Sequence, residues 1–98
     1  MNANDPKSQP LPITNEPVPV FDCHVLLSQT DKGYAARAAN LDGVTATGPT
    51  ERDALRAISK AFKTRVEAHV AAGESIPFLT ESMTPNDDEV ERWIPVHL

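Results

Sequence analysis

Hydrophobic and polar positions follow two different periods along this chain. In VPVFDCHVLLSQ, residues 18–29, Phe21, Cys23, Val25 and Leu27 alternate with Val20, Asp22, His24, Leu26 and Ser28. A two-residue period predicts a strand, because successive side chains point to opposite faces. Its first face is apolar and its second is mixed, so one side meets a core and the other is partly solvated or covered by a partner. From Thr50 to Gly73 the period lengthens. Leu55, Ile58, Phe62, Val66 and His69 recur at steps of three and four, while Arg52, Arg56, Ser59, Lys60, Lys63, Thr64 and Glu67 fall mostly on the other side. That spacing predicts one long amphipathic helix. Both of its ends are marked. The Thr50 hydroxyl can cap the first turn, and Asp53 holds the capping-box position. Glu51 and Asp53 place negative charge at the positive end of the helix dipole. Gly73 can close the helix in the left-handed conformation.

The remaining elements follow from punctuation. Thr30-Asp31-Lys32-Gly33 and Asn40-Leu41-Asp42-Gly43 read as turns, separating an Ala-rich strand at 34–39 from a short one at 44–48. Small side chains in the second strand suit a helix packed closely above it. Gly48-Pro49 leads to the helix cap. Residues 74–91 form a long connection broken by Pro77 and Pro85, with an acidic run of Asp87, Asp88, Glu89 and Glu91. A solvated loop is one reading and a helical turn starting at Thr84-Pro85 another. Arg92 to Leu98 alternates weakly and reads as a final strand, with Pro95 arguing that one side of it is an edge or that it is short. The order is β-β-β-α-β. Two tight turns make the first three strands an antiparallel meander. A right-handed crossover through the helix then lays the fourth strand parallel to the first. One helix on one face of a small sheet is an α+β architecture.

This layout leaves apolar surface over. The helix, about 33 Å long, exceeds a typical strand, so its last turns from about Val66 to Ala72 should overhang the sheet. Val20, His24 and Leu26 lie on the strand face that the helix cannot cover, and Val70 lies on the overhang. These four are the expected contact residues for a protein partner or for a second copy in a two-fold homodimer. Residues 1–17 contain Pro6, Pro10, Pro12 and Pro17 among polar residues and read as a disordered tail. The folded domain is expected over 18–98.

Charge and composition narrow the function. The formal net charge is −5, which argues against direct nucleic-acid binding and fits a basic protein partner better. A single cysteine excludes an internal disulfide. No apolar run is long enough to span a membrane, and no signal peptide is visible, so the cytoplasm is the expected location. His24, His69, His97 and Cys23 match no metal-ligand spacing. Adjacent Cys23 and His24 point to opposite faces. Asp31 and Asp42 belong to turns and Asp53 to the helix cap, which leaves Asp22 without a second carboxylate for metal-assisted hydrolysis. The glycines form no phosphate loop. No catalytic residue, cofactor or metal is expected, and the chain reads as a binding module.

Three stretches in order carry a family resemblance: Gly33-Tyr34-Ala35-Ala36, Leu41-Asp42-Gly43-Val44 and Thr47-Gly48-Pro49-Thr50-Glu51-Arg52-Asp53-Ala54-Leu55. Ile58 and Ala61 continue the helix pattern, and Gly73-Glu74-Ser75-Ile76-Pro77 matches its exit. Together they resemble the HicB antitoxins of toxin–antitoxin systems, over residues 20–98. The family's Pro-Asp-Leu-Pro-Gly-Cys turn stands here as Ala39 to Val44, without the prolines or the cysteine. The resemblance implies a partial RNase H-like fold without catalytic carboxylates, in sheet order 3-2-1-4. It also implies neutralisation of a small mRNA interferase of the HicA type by direct binding. Many full antitoxins continue into a DNA-binding segment; with this chain ending on its last strand, no operator binding is expected. The alternative is an orphan domain of the same fold used for self-association or another protein contact.

Overall fold

The computed structural model describes residues 19–98. The tail expected over residues 1–17 lies outside the described residues. The chain forms β1 (Val20–Thr30), β2 (Gly33–Ala38), β3 (Thr45–Gly48), α1 (Glu51–Ala71) and β4 (Glu89–His97). The four strands make one sheet in the order β3-β2-β1-β4. The meander forms as expected, with Val25 opposite Ala38 and Tyr34 opposite Gly48. Gly33 and Gly43 take positive φ of 138° and 85° at the two turns, a backbone region costly for other residues.

The helix begins and ends where its signals stand. The Thr50 side chain accepts from the Asp53 amide at 3.1 Å, and Gly73 follows the C-cap with φ 71°. One stripe of α1 meets the sheet. Ala54, Ile58, Phe62 and Val66 are buried against Cys23, Val25, Leu27, Ala36, Ala38, Leu41, Val44 and Val96. The sequence pattern puts Leu55 at the head of this stripe; the structure puts Ala54 there, with Leu55 only partly buried. The cause is a close approach of helix to sheet. A Cβ at Gly48 would lie 2.6 Å from the Ala54 nitrogen, so only small residues fit at that crossing. The same closeness explains alanine at 36 and 38. Phe21, also expected in the interface, is half-buried at the margin of the core. The overhang begins one turn later than the spacing implies. Val66 is fully buried, and Val70 is 53% exposed.

The fourth strand departs from the expected topology. β4 runs antiparallel to β1, with Phe21 opposite Val96 and Leu27 opposite Val90, not parallel to it. The expectation took the helix as the whole crossover. In fact the connection after α1 reverses the chain once more. Phe78 packs on Phe62 and Phe21, with ring centroids 6.1 and 5.8 Å away. The Leu79 and Met83 amides then donate to the Asn40 and Ala39 carbonyls at 2.9 and 2.8 Å. These contacts pin the connection at the end of the sheet where β1 starts. The chain then travels to the opposite end before β4 begins at Glu89, opposite Ser28. No helix forms at Thr84-Pro85; a turn at 87–88 precedes the strand. No helix among the described residues is long and apolar enough to cross a membrane.

Candidate protein-binding surface

α1 covers one face of the sheet, and the other face carries side chains of all four strands. The pleat puts Asp22, His24, Leu26 and Ser28 of β1 there, with Ala35 and Arg37 of β2, Thr45 and Thr47 of β3, and Glu89, Glu91, Trp93 and Pro95 of β4. Three devices organise this open face.

The first is an ion pair across β1. The Arg37 Nε and Nη2 donate to the two oxygens of Glu89, both at 2.8 Å. Glu89 sits on β4 and Arg37 on β2, so the bridge crosses β1 beside Leu26. The Arg37 Nη1 lies 3.3 Å from the Met83 sulfur, and Glu89 also accepts from the Asn86 amide at 2.8 Å. A forked guanidinium–carboxylate pair is strong and directional. The hydrogen bond from Arg37 holds the Glu89 carboxyl below its ordinary value, and the same bond raises Arg37.

The second is a stacked pair. His24 and Trp93 occupy opposite positions on β1 and β4. Their rings lie 3.8 Å apart and 8° from parallel. The His24 Nε2 is 3.0 Å from Glu91 Oε2. Its Nδ1 is buried without a hydrogen-bond partner among the described residues. Trp93 itself is 62% exposed, with one ring face on the histidine.

The third is Asn40. Its side-chain oxygen accepts from the His24 amide at 3.2 Å and its Nδ2 donates to the Asp22 carbonyl at 2.8 Å. It takes the place of a strand partner where β2 has ended, so the β1 backbone stays satisfied. Between β2 and β3 the open face is a shallow groove of about 400 Å³, floored by Ala35, Thr45 and Thr47 and walled by Arg37 and Glu89.

Of the four expected contact residues, Val20, His24 and Leu26 share the open face of β1, and Val70 lies on α1. Val20 and Val70 are 50% and 53% exposed, but they lie on opposite layers of the domain. His24 and Leu26 are buried within their own chain, by Trp93 stacking and by the flanking Arg37, Glu89 and Glu91. They present no free surface to a second subunit. Trp93, Glu91, Arg37 and Glu89 were not singled out by sequence. Glu89, Glu91 and Trp93 alternate readably along β4, but which β1 residues they meet depends on the direction of that strand, which the crossover reading made parallel and which is antiparallel.

Burial pushes the Cys23 thiol up to about 12, so it stays protonated under the helix and is no nucleophile or metal ligand. Among the described residues no three His, Cys, Asp or Glu side chains are grouped as metal ligands. The outer side of α1 carries Arg52, Arg56 and Lys60, all exposed. They enter no ion pair among the described residues, whereas Arg92 pairs with Glu51 at 3.2 Å.

A helix on one face of a β3-β2-β1-β4 sheet defines a small α+β domain. No family model matches the chain, and no curated protein matches it. Among solved structures it is similar to the N-terminal domain of the Burkholderia pseudomallei antitoxin HicB, with a TM-score of 0.64 and 20% identity, over 80% of this chain and 100% of that one. It is also similar to a chain of the HicA3 and HicB3 toxin–antitoxin complex, with a TM-score of 0.55 and 19% identity, over 74% of this chain and 94% of that one. The fold is therefore that of a HicB antitoxin N-terminal domain, as the sequence resemblance implied.

Proposed function

We propose that this chain is an antitoxin-like protein-binding module that neutralises a small mRNA interferase of the HicA type by direct contact, in the cytoplasm and without chemistry of its own. The observation that carries the reading is the fold: a HicB-like domain, similar also to a chain from a toxin–antitoxin complex. The net charge of −5 supports a basic partner. The test is co-expression with any small basic protein encoded beside it, followed by affinity purification through a tag on this chain. A stable complex of the two supports the proposal. Purification of this chain alone, with the basic protein soluble and unbound, rejects it.

Self-association is the second reading, and the exposed Val20 and Val70 favour it. Leu26 does not serve as its probe, because Leu26→Glu would place a charge in a fully buried position and unfold the protomer. Val20→Glu is the better variant. Sedimentation from low to high micromolar concentration should show a dimer for the natural chain and a monomer for Val20→Glu. A monomer throughout removes this reading.

A further inference from the structure

We infer that the solvent-facing side of Trp93, with the carboxylates of Glu91 and Asp22 beside it, is a receptor for an arginine or lysine side chain at the centre of the contact with a basic protein. The inference rests on the antitoxin-like reading and names the surface that reading would use.

The ring of Trp93 is preorganised. His24 lies parallel beneath it at 3.8 Å, and His24 is itself held by Glu91 through Nε2 and by Asn40 through its backbone amide. A tryptophan fixed flat on a sheet loses little freedom when something stacks on its outer face. That face is electron-rich and attracts cations, tryptophan most strongly among the aromatic side chains. Two carboxylates surround it. The Glu91 side chain is 47% exposed. One of its oxygens meets His24, and the other accepts no hydrogen bond among the described residues. Asp22 is exposed and faces Pro95, the next position of β4 on the same side of the sheet; it makes no ion pair among the described residues. The neighbouring cation, Arg92, projects from the other face, where Glu51 holds it. The arginine of this face, Arg37, lies across Leu26 from Glu91 and is held by Glu89, so the patch presents negative charge beside an aromatic platform.

The adjoining strand edge does not compete for a partner. In β1 the His24 amide and carbonyl face Asn40 and Ala39, so the Cys23 and Val25 backbone groups face β4. The outward positions of β4 are then Glu89, Glu91, Trp93, Pro95 and His97. Glu89 turns its amide to the Asn86 carbonyl at 3.0 Å. The Arg92 Nη1 covers the Glu91 carbonyl at 2.9 Å. Pro95 has no amide hydrogen. Such an edge resists strand addition, which leaves the face of Trp93 as the accessible feature. A central exposed tryptophan in a polar surround is the usual form of an interface hot spot.

Trp93 is the one tryptophan of the chain, so its fluorescence reports the site directly. The full chain is titrated with a hexa-arginine peptide and, separately, with a hexaglutamate peptide. Saturable change with hexa-arginine and none with hexaglutamate is expected. In the Asp22→Asn, Glu91→Gln double variant, whose circular dichroism should match the natural chain, binding is expected to weaken about tenfold. No saturable response, or an equal response from the double variant, overturns the proposal. So does a change on concentrating the protein alone, which would make a second copy the occupant. Copurification separates this surface from the broader reading. If a basic toxin copurifies equally well with the double variant, the surface is wrong and the antitoxin-like reading stands. If hexa-arginine binds as expected and no basic toxin copurifies, the receptor stands and the antitoxin-like reading fails.

Discussion

Phe62 shows how much one side chain contributes here. It is fully buried, touches the sheet core, and also meets Phe78 of the connection. Phe62→Ala should cost about 3–5 kcal/mol; a loss under about 1 kcal/mol in a urea titration would show that the helix does not pack as described. Cys23 gives a second check at this scale. Its thiol is buried, and its titration is pushed to about 12. A thiol reagent at pH 8 should label it slowly in the native protein and fully within minutes in denaturant. Rapid native labelling would mean that α1 does not cover β1. Both residues were legible from the sequence, because each sits in a regular apolar period. Trp93 was not. Its meaning depends on its neighbour His24, which is far away in the chain and is set by the register of β4 on β1.

Among the elements, the connection between α1 and β4 decides the most. It fills the gap under Phe78, turns the topology antiparallel, and ends in the turn whose Glu89 clamps Arg37. Sequence pattern located this segment and its acidic run. It missed the direction, because a loop of turn-forming residues has no periodicity to say where it goes, and the right-handed crossover rule binds only parallel neighbours. The Arg37–Glu89 pair makes the element testable. The Glu89 carboxyl is lowered in the folded chain relative to its ordinary 4.5. The stability this contributes is therefore present above pH 4.5, declines as the pH falls below it, and is lost once the pH passes the lowered folded value. Glu89→Gln should destabilise the protein by about 1–3 kcal/mol at pH 7 and should flatten the fall in stability between pH 5 and 3. Urea midpoints measured at several pH values check this. Identical pH profiles for the two proteins would show that the clamp is not formed in solution.

At the level of the whole molecule, charge is segregated. Cations line the outer side of α1, while Asp22, Glu91 and the 87–89 run lie on and beside the opposite part of the sheet. The sequence made the net charge visible but not this division, which arises only when the helix and the open face are placed on opposite sides. The fold was legible in most particulars, since glycine turns, a capped helix and two apolar periods constrain a chain this short to few arrangements. Which open-face residues reach solvent was not, because His24 and Leu26 are covered by side chains of the chain's own β2 and β4. The division of charge predicts where a basic protein settles. The central claim, neutralisation by direct binding, is tested most directly by titrating the purified chain into a small basic ribonuclease of the HicA type, taken from beside its own gene where one is encoded there, and following cleavage of a single-stranded RNA. Cleavage should fall in proportion to added chain and cease near stoichiometric amounts. Undiminished cleavage in the presence of excess, well-folded chain would contradict the account.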